Sequence, residues 1–200
     1  MLIKYESAAN MGDASAQYYI GRAFDRENRV FEDNAEAVHW YKLAAAQGDS
    51  RAQNNLGCLC GNGQGVVQNY VEAVYWFKLA AAKCCSNSQY NLGVRYGHRL
   101  GAAKDYAEAV RWYKLAAAQD HTDAQYKLAD LHHRGRGVDK DYAKAVHFYN
   151  LAAIKSNKKP LKKHSLNAAE MTPQQLADSG YMMQELANLN ALNSHFHSAE

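Results

Sequence analysis

Chemistry in this chain would have to come from a few small groups of residues. Ser156-Asn-Lys-Lys159 has the Ser-x-x-Lys spacing in which a serine attacks an acyl group and a lysine takes its proton. The match lies in a lysine-rich stretch where it arises cheaply, and neither Ser-Asp-Asn nor Lys-Thr-Gly accompanies it. Cys58-Leu-Cys60, His132-His133 and His195-Phe-His197 supply metal-ligand atoms. Zinc asks for four ligands, usually as pairs with wider spacing than any of these, so no metal site is expected. Gly61-Asn-Gly63-Gln-Gly65 resembles a phosphate loop. Such a loop follows a strand, whereas a helical pattern precedes this one. Cys58, Cys60, Cys84 and Cys85 could form two bridges in an oxidising compartment. Without an export signal they read as reduced, structural thiols. The expectation is therefore no enzyme, no cofactor and no metal.

The elements that position these residues follow from an internal period. Trp40, Trp76, Trp112 and Phe148 recur every 36 residues. Ala37, Ala73, Ala109 and Ala145 keep step, as do Leu43, Leu79, Leu115 and Leu151. Gln17, Gln53, Gln89 and Gln125 form a further column, and Gly21, Gly57 and Gly93 another, in which Ala129 is the exception. A fixed period of this length denotes stacked supersecondary units. Two start signals divide each unit into two helices. Asp33, Asn69 and Asp105 precede Glu36, Glu72 and Glu108 by three residues, and Asp141 precedes Lys144. In the first three this is a capping-box spacing, with the glutamate reaching back. Ser50, Ser86 and Thr122 each precede the glutamine column by three, which predicts a second box.

Helix A is thus predicted over 34–46 and helix B over 50–61, with their copies. Ala37, Trp40, Tyr41, Ala44 and Ala45 make one apolar stripe on helix A. The glycine column within helix B predicts a tight crossing, because a mid-helix glycine is otherwise unfavourable. Gly63-Gln-Gly65 and Gly135-Arg-Gly137 read as helix stops.

With these residues in place the chain resembles the Sel-one-like repeat family, αα-solenoid relatives of the tetratricopeptide repeats. Ala52-Gln53, Leu56-Gly57, Gly63-Gln-Gly65-Val66 and the stretch from Ala73 to Ala81 carry the likeness, which covers residues 5–153. It implies an all-α, right-handed αα-superhelix of helix-hairpin repeats over 1–154, ending in a C-terminal capping helix. It also implies a scaffold or adaptor that binds a partner protein or peptide on its concave face, lined by the A helices. A cysteine-rich branch of the family is associated with β-lactam binding and hydrolysis. The alternative reading is therefore a secreted bacterial repeat protein with weak activity of that kind, although the paired cysteines of that branch are missing from each unit here.

Both ends depart from the period. Met1 falls in phase with Ala37, inside a helix A, which suggests a truncated start. After Ala153 the phase is lost. Residues 155–171 read as a basic linker, 172–187 as a capping helix opened by Thr172 and Pro173, and 188–200 as a flexible tail.

The bulk composition excludes more than it selects. A net charge of +3 gives little push toward nucleic acid. No apolar run approaches the ~18 residues of a membrane span. Met1 to Asn10 lacks a signal-peptide core, so the chain as it stands is expected in the cytoplasm, or in the periplasm or medium if its start is incomplete. What is left for function is surface. His39, Tyr75, Arg111 and His147 form the least uniform column of helix A, and Lys42, Lys78, Lys114 and Asn150 lie beside it. Together they predict a basic, partly aromatic strip suited to an acidic or extended peptide.

Overall fold

The alanine-rich A segments and capped B segments become helices at the predicted places. A computed structural model describes residues 2–25 and 33–155. Among them the elements are α1 (Leu2–Asn10), α2 (Ala14–Asp25), α3 (Asn34–Ala46), α4 (Ser50–Asn62), α5 (Tyr70–Ala82), α6 (Ser86–His98), α7 (Tyr106–Ala117), α8 (Thr122–Arg134) and α9 (Tyr142–Lys155). Odd-numbered helices are A helices and even-numbered ones B helices. The predicted capping helix 172–187, the tail 188–200 and all of the basic linker except Lys155 lie outside the described residues. The chain divides into two compact units, 1–116 and 117–200.

The A-helix caps are the predicted residues. Asp33 Oδ1 accepts from the backbone N–H of Ala35 and Glu36, and Asn69 Oδ1 from Val71 and Glu72. Asp105 and Asp141 do the same for Glu108 and Lys144. The reach-back by glutamate is replaced. Each cap N–H instead donates to a carbonyl of the preceding B helix: Asp33 to Phe24, Asn69 to Cys60, Asp105 to Tyr96 and Asp141 to His132. With that donor taken, Glu72 accepts from Trp76 Nε1 at 3.3 Å.

The second box is corrected outright. Ser50, Ser86 and Thr122 are first helical residues, and the caps stand one position earlier, at Asp49, Cys85 and His121. Asp49 accepts from Arg51 and Ala52, and His121 Nδ1 from Ala124, whereas Cys85 makes no side-chain cap bond. The glutamines are engaged elsewhere. Nε2 of Gln17, Gln53, Gln89 and Gln125 donates to the carbonyls of Ala9, Ala45, Ala81 and Ala117, at 3.1 to 3.5 Å. Each of these carbonyls also accepts a backbone N–H, from Gly12, Gly48, Cys84 and Asp120 respectively, so the buried amide is a second donor that ties helix B to the end of helix A.

Packing follows the position after the tryptophan. Tyr41 and Phe77 are wholly buried, Tyr113 and Tyr149 nearly so, while Trp40, Trp76 and Trp112 are only half-buried. The glycine column shows why it recurs. A Cβ on Gly21, Gly57 or Gly93 would stand 2.8, 2.7 or 2.5 Å from the ring of Tyr41, Phe77 or Tyr113. In the second unit Ala129 fills this place, buried in a cluster with Ala145 and Tyr149. The core of the first unit joins Ala37, Tyr41, Leu56, Ala73, Phe77 and Leu92. At the helix stop, Gly63 ends α4 in the left-handed region at φ 70°. Gly65, at φ 69°, brings its backbone against Asn34 so closely that any side chain would overlap it.

Candidate functional site

A break in one column lies beside a cavity of the first unit. Tyr18, Tyr90 and Tyr126 share a column whose fourth member is Asn54. Where the tyrosine is present it packs on the buried ring of the next A helix: Tyr18 on Tyr41 at 6.0 Å, Tyr90 on Tyr113 at 5.8 Å and Tyr126 on Tyr149 at 5.2 Å between centroids. The pair at the second repeat is Asn54 with Phe77, so a ring is missing. Beside it lies a cavity of about 370 Å³. Tyr18, Arg22 and Asp25 of α2 line one wall, Asn54, Asn55, Cys58 and Leu59 of α4 the floor, and Gln64 and Asn87 the remainder.

Its floor is a connected amide network. Ser88 Oγ donates to Asn54 Oδ1 at 2.8 Å, and Asn91 Nδ2 reaches the same oxygen at 3.3 Å and Cys58 Sγ at 3.7 Å. Asn54 Nδ2 donates to Asn55 Oδ1, and Asn55 Nδ2 to the Tyr41 hydroxyl, which donates to Asp25. Burial pushes the Tyr41 phenol far above its usual range, so it stays a neutral donor. Ser88 is itself a column break, standing fully buried where Ala16, Ala52 and Ala124 stand in the other repeats. A buried hydroxyl needs a partner, and Asn54 supplies it.

The start of α4, outside the cavity lining, carries charge. The Arg51 guanidinium lies 4.3 Å from the Tyr18 centroid and 2.6 Å from Asp49 Oδ2. Burial raises the affinity of Asp49 for a proton, but Arg51 and two backbone N–H groups outweigh it and hold the carboxyl below the usual range.

The strip predicted on the A helices is distributed unevenly. In the first unit His39, Lys42, Tyr75, Lys78, Arg111 and Lys114 are exposed. Between them Leu43, Leu79 and Leu115 are 36–42% exposed, so this repeating column faces solvent more than its regularity implies. In the second unit His147 is half-buried and Asn150 is buried. Asn150 therefore leaves the strip; a neutral amide tolerates burial that a lysine ammonium does not. A smaller cavity of about 200 Å³ on the A side is lined by Glu6, Ile20, Phe24, Glu36 and Trp40. None of the eight strip residues lines either cavity.

A family model described as the Sel1 repeat matches residues 14–49, 50–83, 86–121 and 122–157. The chain belongs to the Sel1 repeat family. Its repeats are similar to the crystal structure of a protective antigen of uropathogenic Escherichia coli strains displaying an SLR fold, at 38% identity and TM-score 0.75. That likeness covers 78% of this chain and 34% of the other, so this chain spans about a third of the antigen's length. A Sel1 repeat protein from Oxalobacter formigenes is 30% identical with TM-score 0.72, over 88% of this chain and 71% of that one. No curated protein matches.

Within the Sel1 repeats the other candidate groups are placed as follows. No disulfide joins the four cysteines. Cys60 is wholly buried, and burial, reinforced by Glu72, pushes its thiol up to about 11. His132 stacks on Phe148 and His133 meets Tyr142 edge-on. Among the described residues no three His, Cys, Asp or Glu side chains converge as metal ligands, and no helix is long and apolar enough to cross a membrane. Ser156, His195 and His197 lie outside the described residues. The cavity was not foreseen from the sequence. Its signal in the sequence is the broken tyrosine column, which lies on helix B and not in the variable column of helix A.

Proposed function

We propose that this Sel1 repeat chain is an adaptor that holds an extended segment of a partner protein in the cavity between α2, α4 and α6. Sel1 repeat proteins generally act as protein-interaction scaffolds, and the observation that carries the finer reading is the amide-lined cavity beside Asn54. Amides offer donors and acceptors together, matching the alternating N–H and C=O of an extended chain. A volume of about 370 Å³ accommodates one or two side chains of such a segment.

The A-helix strip is a second surface, favoured by its exposed leucines alternating with Lys42, Lys78 and Lys114. It suits an acidic or extended peptide with apolar residues in register.

One affinity-capture comparison separates the two surfaces, using the full chain as bait and quantifying each captured protein. The variants are Asn54→Tyr with Ser88→Ala, which restores both columns and closes the cavity, and Lys78→Glu with Arg111→Glu and Lys114→Glu. The cavity reading expects a protein captured by the parent chain to be lost with the first variant and kept with the second. Retention on the closed cavity refutes it, and loss only with charge reversal assigns binding to the strip.

A further inference from the structure

A third column break lies on α6, the helix that contributes Asn87 to the same cavity. Leu59 and Leu131 are buried apolar residues, 2% and 7% exposed, and Ala23 completes their column. Its member in α6 is Arg95. A guanidinium therefore occupies a position that the other repeats use for packing. The surroundings have made room for it. A Cβ on Gly61 would lie 2.6 Å from Arg95 Nη2, so the group occupies the space that a side chain at 61 would need. Its carbon stands 5.4 Å from the Tyr70 centroid and 5.6 Å from that of Phe77.

The charge is not answered. Among the described residues no carboxylate pairs with Arg95, and its buried Nε–H has no hydrogen-bond acceptor. Burial lowers the guanidinium's affinity for its proton, and the ionisable neighbours near enough to act on it are Cys58 and Tyr70. Arginine stays charged at such a site, so a half-buried cation without a counter-ion is a standing cost to the fold. A leucine, as in α4 and α8, would carry no such cost.

The placement of Arg95 gives that cost a use. Asn87, Asn91 and Arg95 are spaced by four along α6 and lie along one face of it. Asn87 lines the cavity, Asn91 bonds to Asn54 and Cys58, and Arg95 lies near Cys58, itself a lining residue. Of the three only Asn87 lines the cavity, so this face of α6 leads from an amide in the cavity to a cation beyond it. Resting on the cavity reading above, we infer that Arg95 is the anchor for a carboxylate carried by the partner segment. A planar guanidinium with unoccupied donors matches a carboxylate's two oxygens, and the rings of Tyr70 and Phe77 lie within cation–π distance of it.

The test uses the full chain and three seven-residue probe peptides of alanine, glycine and serine around one central residue. The first has central glutamate and blocked ends, the second central glutamine and blocked ends, and the third central glutamine with a free C-terminal carboxylate. Binding is followed by NMR, reading the Arg95 Nε–H resonance and the side-chain amides of Asn54 and Asn91. The inference expects a carboxylate-bearing peptide to move Arg95 and to bind about tenfold tighter than the blocked glutamine peptide. Which of the two carboxylates does so assigns the source to a side chain or a chain end. Arg95→Leu should abolish that preference without lowering the melting temperature, since it restores the column residue. Equal binding of all three peptides with Asn54 and Asn91 perturbed overturns the anchor but leaves the cavity reading standing. No perturbation at Asn54 or Asn91 overturns both, and an undiminished preference in Arg95→Leu overturns the anchor.

Discussion

Gly57→Ala should destabilise the protein even though alanine is the better helix former. A glycine inside a helix costs about 1 kcal/mol relative to alanine, so propensity alone favours the substitution. The new Cβ, however, would stand 2.7, 2.9 and 3.1 Å from three ring carbons of Phe77. Carbon atoms rest at about 3.5–4.0 Å, so all three contacts are well inside the repulsive wall. Phe77 is wholly buried and cannot swing into solvent. Overpacking of this kind costs roughly 1–3 kcal/mol, and three overlaps place it at the upper end. Subtracting the propensity gain leaves a net loss of about 2 kcal/mol, or roughly 4–8 °C in melting temperature for a chain of this size. Gly97→Ala in α6 is the internal control. Its Cβ meets nothing nearer than Ala109 Cβ at 3.9 Å, so it should gain about 0.5–1 kcal/mol. Urea denaturation of both variants, followed by circular dichroism, decides the matter. A Gly57→Ala protein as stable as the parent refutes the close-crossing explanation of the glycine column.

Three further outcomes follow from local chemistry. His121 caps α8 through an unprotonated Nδ1, and burial lowers its pKa from 6.5 despite the attraction of Asp123. The unfolded chain thus takes up the proton first, so the cap's contribution is full above about pH 6.5 and declines as pH falls through the lowered folded value. His121→Asp, which installs the residue found at position 49, should flatten that slope in urea melts between about pH 5 and 7. Gln53→Leu should cost about 0.5–1.5 kcal/mol in the same assay, because the buried Ala45 carbonyl loses its side-chain donor and keeps the Gly48 N–H; no loss would show that the amide bond contributes nothing to stability. Maleimide labelling read by mass spectrometry should modify exposed Cys84 first and buried Cys60 last, with unfolding required for Cys60. Equal rates would contradict the burial of Cys60.

Much of the fold was legible because repetition averages away local ambiguity. The predicted helix A, 34–46, coincides with α3, and helix B ends one residue beyond its predicted limit. The glycine column was read correctly as a close crossing, although the ring it meets could not be named. The errors share one cause, that a column records a shared solution without saying which problem it solves. Ser50, Ser86 and Thr122 looked like caps because their chemistry fits, yet the less uniform column before them, Asp49, Cys85 and His121, holds the caps. The glutamines looked like helix-start residues and instead bind carbonyls eight residues back. The tryptophans drew attention by size, whereas the slimmer Tyr41 and Phe77 fill the core. At the candidate site the difficulty was of another kind. An opening made by an absent ring leaves no residue to notice, only Asn54 where tyrosine stands elsewhere.

The pairing of each helix-B glycine with a ring twenty positions later has a consequence for how such a chain can change length. Gly21 meets Tyr41, Gly57 meets Phe77 and Gly93 meets Tyr113, so every joint spans the boundary between one hairpin and its successor. Whole units can be gained or lost by duplication or deletion, because any glycine then finds an equivalent ring. A crossover between residue 57 and residue 77 that brings in a block from an array with alanine in the glycine column places a methyl group against an aromatic ring that has not shifted to receive it. Recombination in arrays of this type should therefore leave its scars after the ring and before the next glycine, as between 77 and 93.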